Sequence, residues 1–305
     1  RQIDRSIAVI GASDAGKSHF LATLLHAFLQ ADAGGDMWAV DLDWETRRHY
    51  KTSFVEPLFE ARHELPTTPP APGPELELPL VHAPSGERVL LVFRDLGGEV
   101  FQRRERLDEI GFLRYASGVV LMADPLAFPS PAASSDTVRA WSMHGYQNAV
   151  EVLGTYRQWL LDTLREASDR QLPFAPSDKA LAVAIPKADL VLPDGHWFLD
   201  DNQKDRCDPR ASGFWHCRQQ ESESTREWVA SHLGSELVDL TADFGATGWF
   251  FLSNFGYPHP PHTPPAEKPR PRRVEEPILA LLDHLLAKQP PTAKRVRVAA
   301  GDEVL

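Results

Sequence analysis

The chain has 305 residues, of which 42% are hydrophobic and 25% are charged, a composition typical of a globular protein with a sizeable core. Its formal net charge of −11 disfavours nucleic acid and anionic membranes as partners. No apolar run approaches the roughly 20 residues that span a bilayer, and the N-terminus lacks a signal-peptide pattern.

The segment around which the chain is organised is Gly-Ala-Ser-Asp-Ala-Gly-Lys-Ser at residues 11–18. An apolar run at residues 7–10 precedes it, and a helical pattern follows from Lys17 to about Ala31. Strand, glycine-rich loop and helix form the context of a phosphate-binding loop, the Walker A motif. In such a loop backbone N–H groups face phosphate oxygens, Lys17 reaches the β- and γ-phosphates, and the Ser18 hydroxyl ligates Mg²⁺. The motif predicts that a nucleoside triphosphate binds here.

The next segment, residues 36–65, is predicted to be a helical insertion with a helix over about 44–60, because aromatic and aliphatic residues recur there at helical spacing. Residues 66–74 are rich in proline, which excludes helix and central strand. We therefore expect an extended loop that carries Thr67 and Thr68.

Two strands follow this loop. Residues 75–81 alternate polar and apolar side chains, and Pro79 marks them as an edge strand. Residues 89–93 are continuously apolar, and the short link between the two runs predicts an antiparallel hairpin. Asp95 comes directly after the buried strand and precedes glycines, as a magnesium–phosphate site requires. Asp95 would hold the metal through water, and the backbone N–H of Gly98 would sense a γ-phosphate.

The rest of the chain alternates strands and helices. The predicted strands are residues 118–123, 181–185 and 248–252. The predicted helices run from a cap at Ser135 or Asp136 to about Ala167, over about 221–240, and over 275–288. The predicted irregular segments are the loop 193–221, an exposed proline-rich loop at 257–273 and a disordered tail at 290–305.

The chain contains two cysteines, Cys207 and Cys217, so we expect no disulfide framework and a reducing, cytoplasmic setting. Together with His216 they invite comparison with a zinc site, but their spacing is not a standard one. The chain begins at Arg1, close to the first strand, and we expect that an N-terminal segment has been trimmed or lost.

These motifs together carry a family resemblance. The order phosphate loop, threonine loop, Asp-x-x-Gly, x-Lys-x-Asp and Ser-x-x-Gly is similar to the five signature boxes of Ras-like and Arf-like GTPases. More narrowly, the chain resembles the bacterial double-GTPase families of predicted conflict systems. That narrower resemblance lies in Leu-Pro-Thr-Thr-Pro at residues 65–69 and Arg-Arg-Val-Glu-Glu-Pro at residues 272–277.

The resemblance implies a role for each matching residue. Thr68, or else Thr67, would complete the Mg²⁺ coordination that Ser18 and Asp95 begin. Lys187 would lie along the base and ribose. The predicted nucleotide-binding residues are Ser13, Asp14, Ala15, Gly16, Lys17, Ser18, His19, Lys187, Asp189, Ser253, Asn254 and Phe255.

Base selection falls to two of these residues. Asp189 would accept hydrogen bonds from guanine N1–H and the exocyclic amine, which adenine cannot satisfy. The backbone N–H of Asn254 would meet guanine O6. These roles imply GTP and GDP as the bound nucleotides.

Three residues depart from the family pattern. Pro186 stands where an asparagine usually ties its own loop, which carries Lys187 and Asp189, to the phosphate loop. Glu99 replaces a glutamine that orients the attacking water, and Ser13 adds a side chain that crowds an incoming arginine finger. We therefore expect slow hydrolysis, with Lys17, Gly98 and Glu99 as the candidate catalytic residues.

The predicted fold is a single Ras-like α/β GTPase domain over residues 1–289, with helices on both faces of the sheet. Its six-stranded, mostly parallel sheet has the order 2-3-1-4-5-6, with strand 2 antiparallel. The predicted function is a Mg²⁺-dependent GTP switch that recruits or releases a protein partner, either an effector or a GTPase-activating protein. The alternative is a pseudo-GTPase scaffold whose nucleotide is structural or absent. An ATPase or kinase is a third reading, against which Asp189 argues.

Overall fold

The structure is a computed structural model that describes the sheet and the helices packed on it. The described residues are 2–29, 38–63, 65, 75–82, 86, 88–94, 101, 112–128, 148–166, 175–193, 196–199, 214–259 and 263–287.

A mixed seven-stranded sheet forms the centre of the fold, with the order β2-β3-β4-β1-β5-β6-β7. Its strands are β1 (Gln2–Gly11), β2 (Trp38–Val40), β3 (Glu75–His82), β4 (Arg88–Arg94), β5 (Gly118–Met122), β6 (Ala180–Ile185) and β7 (Ala246–Phe251). Strand β3 is antiparallel to both β2 and β4, and the remaining neighbours are parallel. The carboxyl ends of the parallel strands therefore share one edge of the sheet, where α/β folds bind ligands.

The predicted six-strand sheet was wrong in its strand count, and hence in its full order, because it omitted β2. This strand has only three residues, too few for an alternating pattern to be recognised. Strand β2 covers β3, so β3 is not the edge strand that Pro79 predicted. Proline is tolerated because β2 pairs only as far as Leu80, and beyond that point the N–H of Asp41 donates to the carbonyl of Pro79 at 2.9 Å.

Helices cover both faces of the sheet. They are α1 (Lys17–Leu29), α2 (Trp44–Tyr50), α3 (Glu56–Phe59), α4 (Phe112–Tyr115), α5 (Ala149–Glu166), α6 (Ala188–Val191), α7 (Phe214–His232), α8 (Ser235–Thr241) and α9 (Glu276–Ala287). A π-helical turn, Lys51–Val55, joins α2 to α3, so the predicted helix at about 44–60 is nearly continuous. The predicted insertion therefore contains a strand as well as helix.

Two predicted helices begin or end elsewhere in the structure. The described part of the long helix begins at Ala149, because the side chain of Asn148 accepts from the N–H groups of Val150 and Glu151. The predicted caps, Ser135 and Asp136, lie outside the described residues. The helix predicted over 221–240 is two helices, α7 and α8, separated at Gly234, whose φ of 103° interrupts a helix.

The strands alternate their side chains between two hydrophobic cores. Ala8 and Ile10 of β1 face a core formed with α5, α7 and α8. Ile7 and Val9 face the opposite core, formed with α1, α9 and the helical insertion. Because β1 is buried on both faces, it appears in the sequence as a continuous apolar run.

Two findings, on membrane-spanning helices and on metal-binding clusters, concern the described residues only. None of the helices in this part of the chain combines the length and apolar character that crossing a membrane requires. Within the same ranges no group of three or more His, Cys, Asp or Glu side chains could hold a metal ion. Cys217, in α7, is disulfide-bonded, whereas the two cysteines of the sequence led us to expect no disulfide framework. Cys207 lies outside the described residues.

Candidate functional site

The phosphate loop connects β1 to α1, as the sequence predicts. Two residues have left-handed backbone, Asp14 with φ 61° and Gly16 with φ 84°. The N–H of Ala15 donates to the carbonyl of Ala12 at 3.3 Å, and α1 begins with the bond from Phe20 N–H to the Gly16 carbonyl at 2.8 Å. These bonds curl the loop around the N-terminus of α1, where backbone N–H groups and the helix dipole favour an anion.

Gly11 is the last residue of β1 and pairs with Met122 of β5. A Cβ atom at this position would lie 2.9 Å from the carbonyl oxygen of Met122 at the end of β5. Only glycine fits without displacing β5, so the first glycine of the motif serves the packing of the loop on the sheet.

Lys17 folds back over the phosphate loop. Its side chain is buried, and Nζ donates to the carbonyl oxygens of Gly11 at 3.1 Å and Ala12 at 2.7 Å. Ser13, Asp14, Ser18 and His19 are partly exposed along the same loop. The ammonium group is thus held at the loop, with hydroxyl-bearing residues accessible on either side of it.

Lys187 joins the end of β6 to the phosphate loop. It adopts left-handed backbone, with φ 56° and ψ 30°, directly before α6. Its Nζ donates to the carboxylate of Asp124 and lies 3.4 Å from the carbonyl oxygen of Asp14. The side chain predicted to lie along the base therefore also connects three loops.

Asp189 lies in α6, two residues beyond Lys187. Burial raises the pKa of its carboxyl to about 6, although a hydrogen bond with the Ser253 side chain and the charges of Arg272 and Lys187 act in the opposite direction. Desolvation of a carboxylate that a ligand can reach is typical of a binding site.

The base loop, residues 253–256, follows β7 and packs beside α6. The N–H of Ala188 donates to the carbonyl of Leu252 at 3.2 Å, which joins the two loops. Ser253 Oγ accepts from the N–H of Gly256 at 2.8 Å and so closes the turn. Asp189, Lys187 and Ser253 are thereby brought together with the phosphate loop at the carboxyl edge of the sheet.

Beside this geometry, the chain is similar to a known protein family over most of its length. A family model described as Double-GTPase 2 matches residues 5–226. The chain belongs to the Double-GTPase 2 family. The predicted double-GTPase resemblance is therefore confirmed, and the fold is consistent with the wider P-loop GTPase superfamily. A comparison with curated proteins gives no match.

Membership of the Double-GTPase 2 family supports guanine-nucleotide binding and, at the level of the family, GTPase activity. The matched region ends inside α7. It includes the phosphate loop, Lys187 and Asp189. Strand β7, the base loop and the residues behind it lie beyond the matched region, so their role is argued from their contacts.

A short segment at residues 270–273, here called the strap, holds the base loop from behind. Arg272 and Ser253 form an antiparallel bridge, with N···O distances of 2.8 and 3.2 Å. The N–H of Arg270 donates to the carbonyl of Phe255 at 2.7 Å. Gly256, with φ 78°, allows this approach, because a Cβ there would lie 2.0 Å from the Arg270 carbonyl oxygen.

Arg273 anchors the strap of this Double-GTPase 2 domain to helices on both faces of the sheet. Its guanidinium pairs with Glu221 of α7 and Glu276 of α9, and it lies 4.9 Å from the centre of the Trp197 ring. Both carboxylates are buried. The strap position is therefore set by a buried ion pair network, which holds the base loop in place.

Five predicted residues fall outside the described ranges. They are the switch threonines Thr67 and Thr68, the magnesium residue Asp95, and Gly98 and Glu99. Strand β4 ends at Arg94, immediately before Asp95, and runs parallel to β1. Of the predicted metal ligands, the structure describes Ser18.

The sequence analysis did not identify Asp124 or the strap as parts of the site. Asp124, like Asp95, is a carboxylate at the end of a buried strand. Proline follows Asp124, whereas a leucine and two glycines follow Asp95. Arg272 and Arg273 lie in the segment 272–277 that carries the family resemblance, but the sequence assigned them no role in the site. The predicted role of Asn254 concerned only its backbone, whereas its buried side chain contacts the phosphate loop.

Proposed function

We propose that this chain binds GTP and GDP with Mg²⁺ between the phosphate loop and the base loop, and hydrolyses GTP slowly as a switch for a protein partner. The observation that carries the proposal is Lys187, whose Nζ contacts both Asp124 and the phosphate-loop carbonyl of Asp14. This contact supports one continuous site for phosphates and base. Membership of the Double-GTPase 2 family supports the same conclusion.

Phosphate binding would use groups that are already aligned. Lys17 would exchange the carbonyl oxygens of Gly11 and Ala12 for β- and γ-phosphate oxygens, which are stronger acceptors because they are charged. The backbone N–H groups of the loop and the positive end of the α1 dipole would add to this attraction.

Base selection would depend on Asp189. Its carboxylate would accept from guanine N1–H and the exocyclic amine, while Lys187 lies along the base and the N–H of Asn254 meets O6. Adenine offers no matching pair of donors, so a buried carboxylate would remain unsatisfied beside it.

The metal site fits the residues present. Ser18 is a hydroxyl oxygen donor at the start of α1 and is partly exposed at the mouth of the loop, which suits a hard cation such as Mg²⁺. Thr68, or Thr67, and Asp95 would complete the set from the segments that follow. Bound Mg²⁺ would neutralise charge on the β- and γ-phosphates.

Hydrolysis would be slow because of Glu99. A carboxylate can accept a hydrogen bond from the attacking water, but it cannot donate one to a phosphoryl oxygen as glutamine does. Its charge also opposes that of the γ-phosphate. Glu99 and Ser13 equally favour the second candidate, a scaffold that binds nucleotide without turnover, and phosphate release with and without a partner separates the two.

The decisive experiment is a calorimetric titration of the purified chain with GDP, GTP, ADP and ATP in the presence of Mg²⁺. We expect at least tenfold tighter binding of the guanine nucleotides, because a lost charged hydrogen bond costs about 1.5–3 kcal/mol. Asp189→Asn should remove most of this preference. Lys17→Ala should abolish triphosphate binding, and Ser18→Ala should weaken binding mainly when Mg²⁺ is present. Equal affinity for GDP and ADP would exclude the guanine site.

A further inference from the structure

The side chain of Asn254 points into the protein, toward the phosphate loop and α1. It is only 6% exposed. Its Oδ1 lies 3.2 Å from the hydroxyl of Thr23, and its Nδ2 lies 3.5 Å from the carbonyl oxygen of Gly16, a long hydrogen bond. A Cβ added at Gly16 would lie 3.4 Å from this Nδ2, so the amide packs directly on the loop backbone.

Thr23 lies on the buried face of α1 and is fully buried. Its hydroxyl also reaches the carbonyls of His19 at 2.9 Å and Phe20 at 3.0 Å within its own helix. The contact with Asn254 is the one of these three that leaves the helix. It joins residues 231 positions apart in the chain.

In the family pattern a polar side chain at position 186 ties the loop of Lys187 and Asp189 to the phosphate loop, but Pro186 has no hydrogen-bonding group in its side chain. That loop is joined to the base loop, because the N–H of Ala188 donates to the carbonyl of Leu252 immediately before Ser253. We propose that Asn254 is a positioning residue that ties the base loop to the phosphate loop in place of a polar side chain at position 186. This inference rests on the proposed function, because the tie fixes the distance between the two loops that hold one nucleotide.

The physical effect of the tie is pre-organisation. The phosphate loop and the base loop are separate segments, and a nucleotide that contacts both must hold them at one spacing. The amide of Asn254 is buried, so separating the loops would leave it without a partner and would cost free energy. The Thr23 hydroxyl would keep the His19 and Phe20 carbonyls of its own helix as acceptors. A nucleotide therefore dissociates slowly, since it does not have to order the loops itself.

The test is the dissociation rate of a fluorescent GDP analogue, chased with excess GDP, in a double-mutant cycle. Asn254→Ala should accelerate dissociation about tenfold, and Thr23→Val should accelerate it by a smaller factor. The double variant should be no faster than Asn254→Ala, because both substitutions remove the same contact. Thr23→Ser keeps the hydroxyl and should restore slow dissociation.

Thr241→Val is the matched control. Thr241 is also a buried helical threonine, whose hydroxyl donates to the carbonyl of Val238 three residues earlier, within α8 and away from the two loops and the strap. We expect it to lower the melting temperature without changing GDP dissociation. This separates a general loss of stability from a loss of positioning. If Asn254→Ala does not fold, Asn254→Asp replaces it in the dissociation experiment. This variant keeps the acceptor for the Thr23 hydroxyl and loses the donor to the Gly16 carbonyl.

A second readout needs no nucleotide. Amide hydrogen exchange over residues 15–20 of the nucleotide-free chain should be faster in Asn254→Ala than in the unmodified protein. If the unmodified chain binds no guanine nucleotide, the proposed function fails, and this exchange measurement still decides whether the tie exists. The tie is wrong if exchange and dissociation are both unchanged in Asn254→Ala, or if the two substitutions act additively.

Discussion

The ammonium group of Lys187 binds the carboxylate of Asp124 across the gap between the ends of β6 and β5. Asp124 is 4% exposed, and its second oxygen accepts from the N–H of Leu126 at 3.0 Å. The pair holds Lys187 in its left-handed backbone conformation, close to the carbonyl of Asp14. Asp124 thus positions the residue that we expect beneath the base.

Replacing Asp124 with asparagine should weaken both folding and nucleotide binding. The substitution removes the charge that Lys187 faces, and we expect a loss of about 1–3 kcal/mol in the free energy of unfolding, measured by urea denaturation. GDP affinity should fall as Lys187 loses its orientation. Asp41→Asn is the control, because the Asp41–Arg88 pair is exposed and contributes about 0–1 kcal/mol. Equal effects of the two substitutions would contradict this role of Asp124.

Guanine affinity should depend on pH through Asp189. Because burial raises the pKa of this carboxyl to about 6, the protonated form dominates below that pH in the nucleotide-free protein. A protonated carboxyl cannot accept both guanine donors. We expect GDP affinity to be constant above pH 6 and to fall toward tenfold per pH unit below it, measured by calorimetry. Asp189→Asn should remove this dependence. A flat profile in the unmodified chain would be the contrary result.

The Asp189 carboxyl should affect the free energy of unfolding in the direction opposite to its effect on GDP affinity. The pKa of Asp189 in the folded chain is higher than its value of 3.8 in the unfolded chain, so the folded state holds the proton more tightly. The charged form therefore destabilises the nucleotide-free fold above pH 6, and this destabilisation is lost as the pH falls from about 6 to 3.8. Asp189→Asn should thus denature at a higher urea concentration than the unmodified chain at pH 7.5.

Removing the Arg273 side chain should release the strap. Arg273→Ala leaves the buried carboxylate of Glu221 without this partner, whereas Glu276 keeps its pair with Arg218. Breaking a buried pair in this way costs about 3–5 kcal/mol. We expect lower thermal stability together with faster GDP dissociation, because Arg272 then holds Ser253 less firmly. Arg226→Ala, which breaks the exposed Arg226–Glu223 pair on α7, is the control. Unchanged dissociation in a destabilised Arg273→Ala would show that the strap does not reach the base loop.

Intrinsic GTP hydrolysis should be slow, well below one turnover per second, and a partner should accelerate it. Glu99→Gln should raise the intrinsic rate, because glutamine can both accept from the water and donate to a phosphoryl oxygen. Glu99→Ala should change the partner-stimulated rate more than GTP affinity. Phosphate release under single-turnover conditions measures the intrinsic rate and the partner-stimulated rate, with Lys17→Ala as the background. Rapid turnover that Glu99→Ala leaves unaltered would place catalysis on another group.

The sequence predicted the phosphate loop because all of its determinants lie within a few consecutive residues. Gly11, Gly16 and Lys17 have the spacing that the curled backbone requires, and the flanking apolar runs identify β1 and α1. The longer strands were recognised in the same way, from local runs of apolar residues. Strand β2 was not, because three residues inside the insertion, between α1 and α2, carry no periodicity of their own.

The residues that connect the loops could not be predicted in this way. Lys187 and Asp14 are 173 positions apart, and Arg273 and Glu221 are 52 apart. Each pair is joined only by the packing of the sheet, which no short pattern records. Asn254 was selected for its backbone, since the family box specifies that loop, but the direction of its side chain depends on the position of α1.

The long separation between Gly16 and Asn254, 238 residues, has a consequence for the order in which the protein is made. At about 5–20 residues per second, synthesis reaches Asn254 roughly 12–50 s after Gly16. During that interval the growing chain has a phosphate loop but neither base loop nor strap. Such a nascent chain would hold the phosphates of ATP and GTP alike until Asp189 is made. The proposed guanine site would be complete only when β7, the base loop and the strap have emerged from the ribosome.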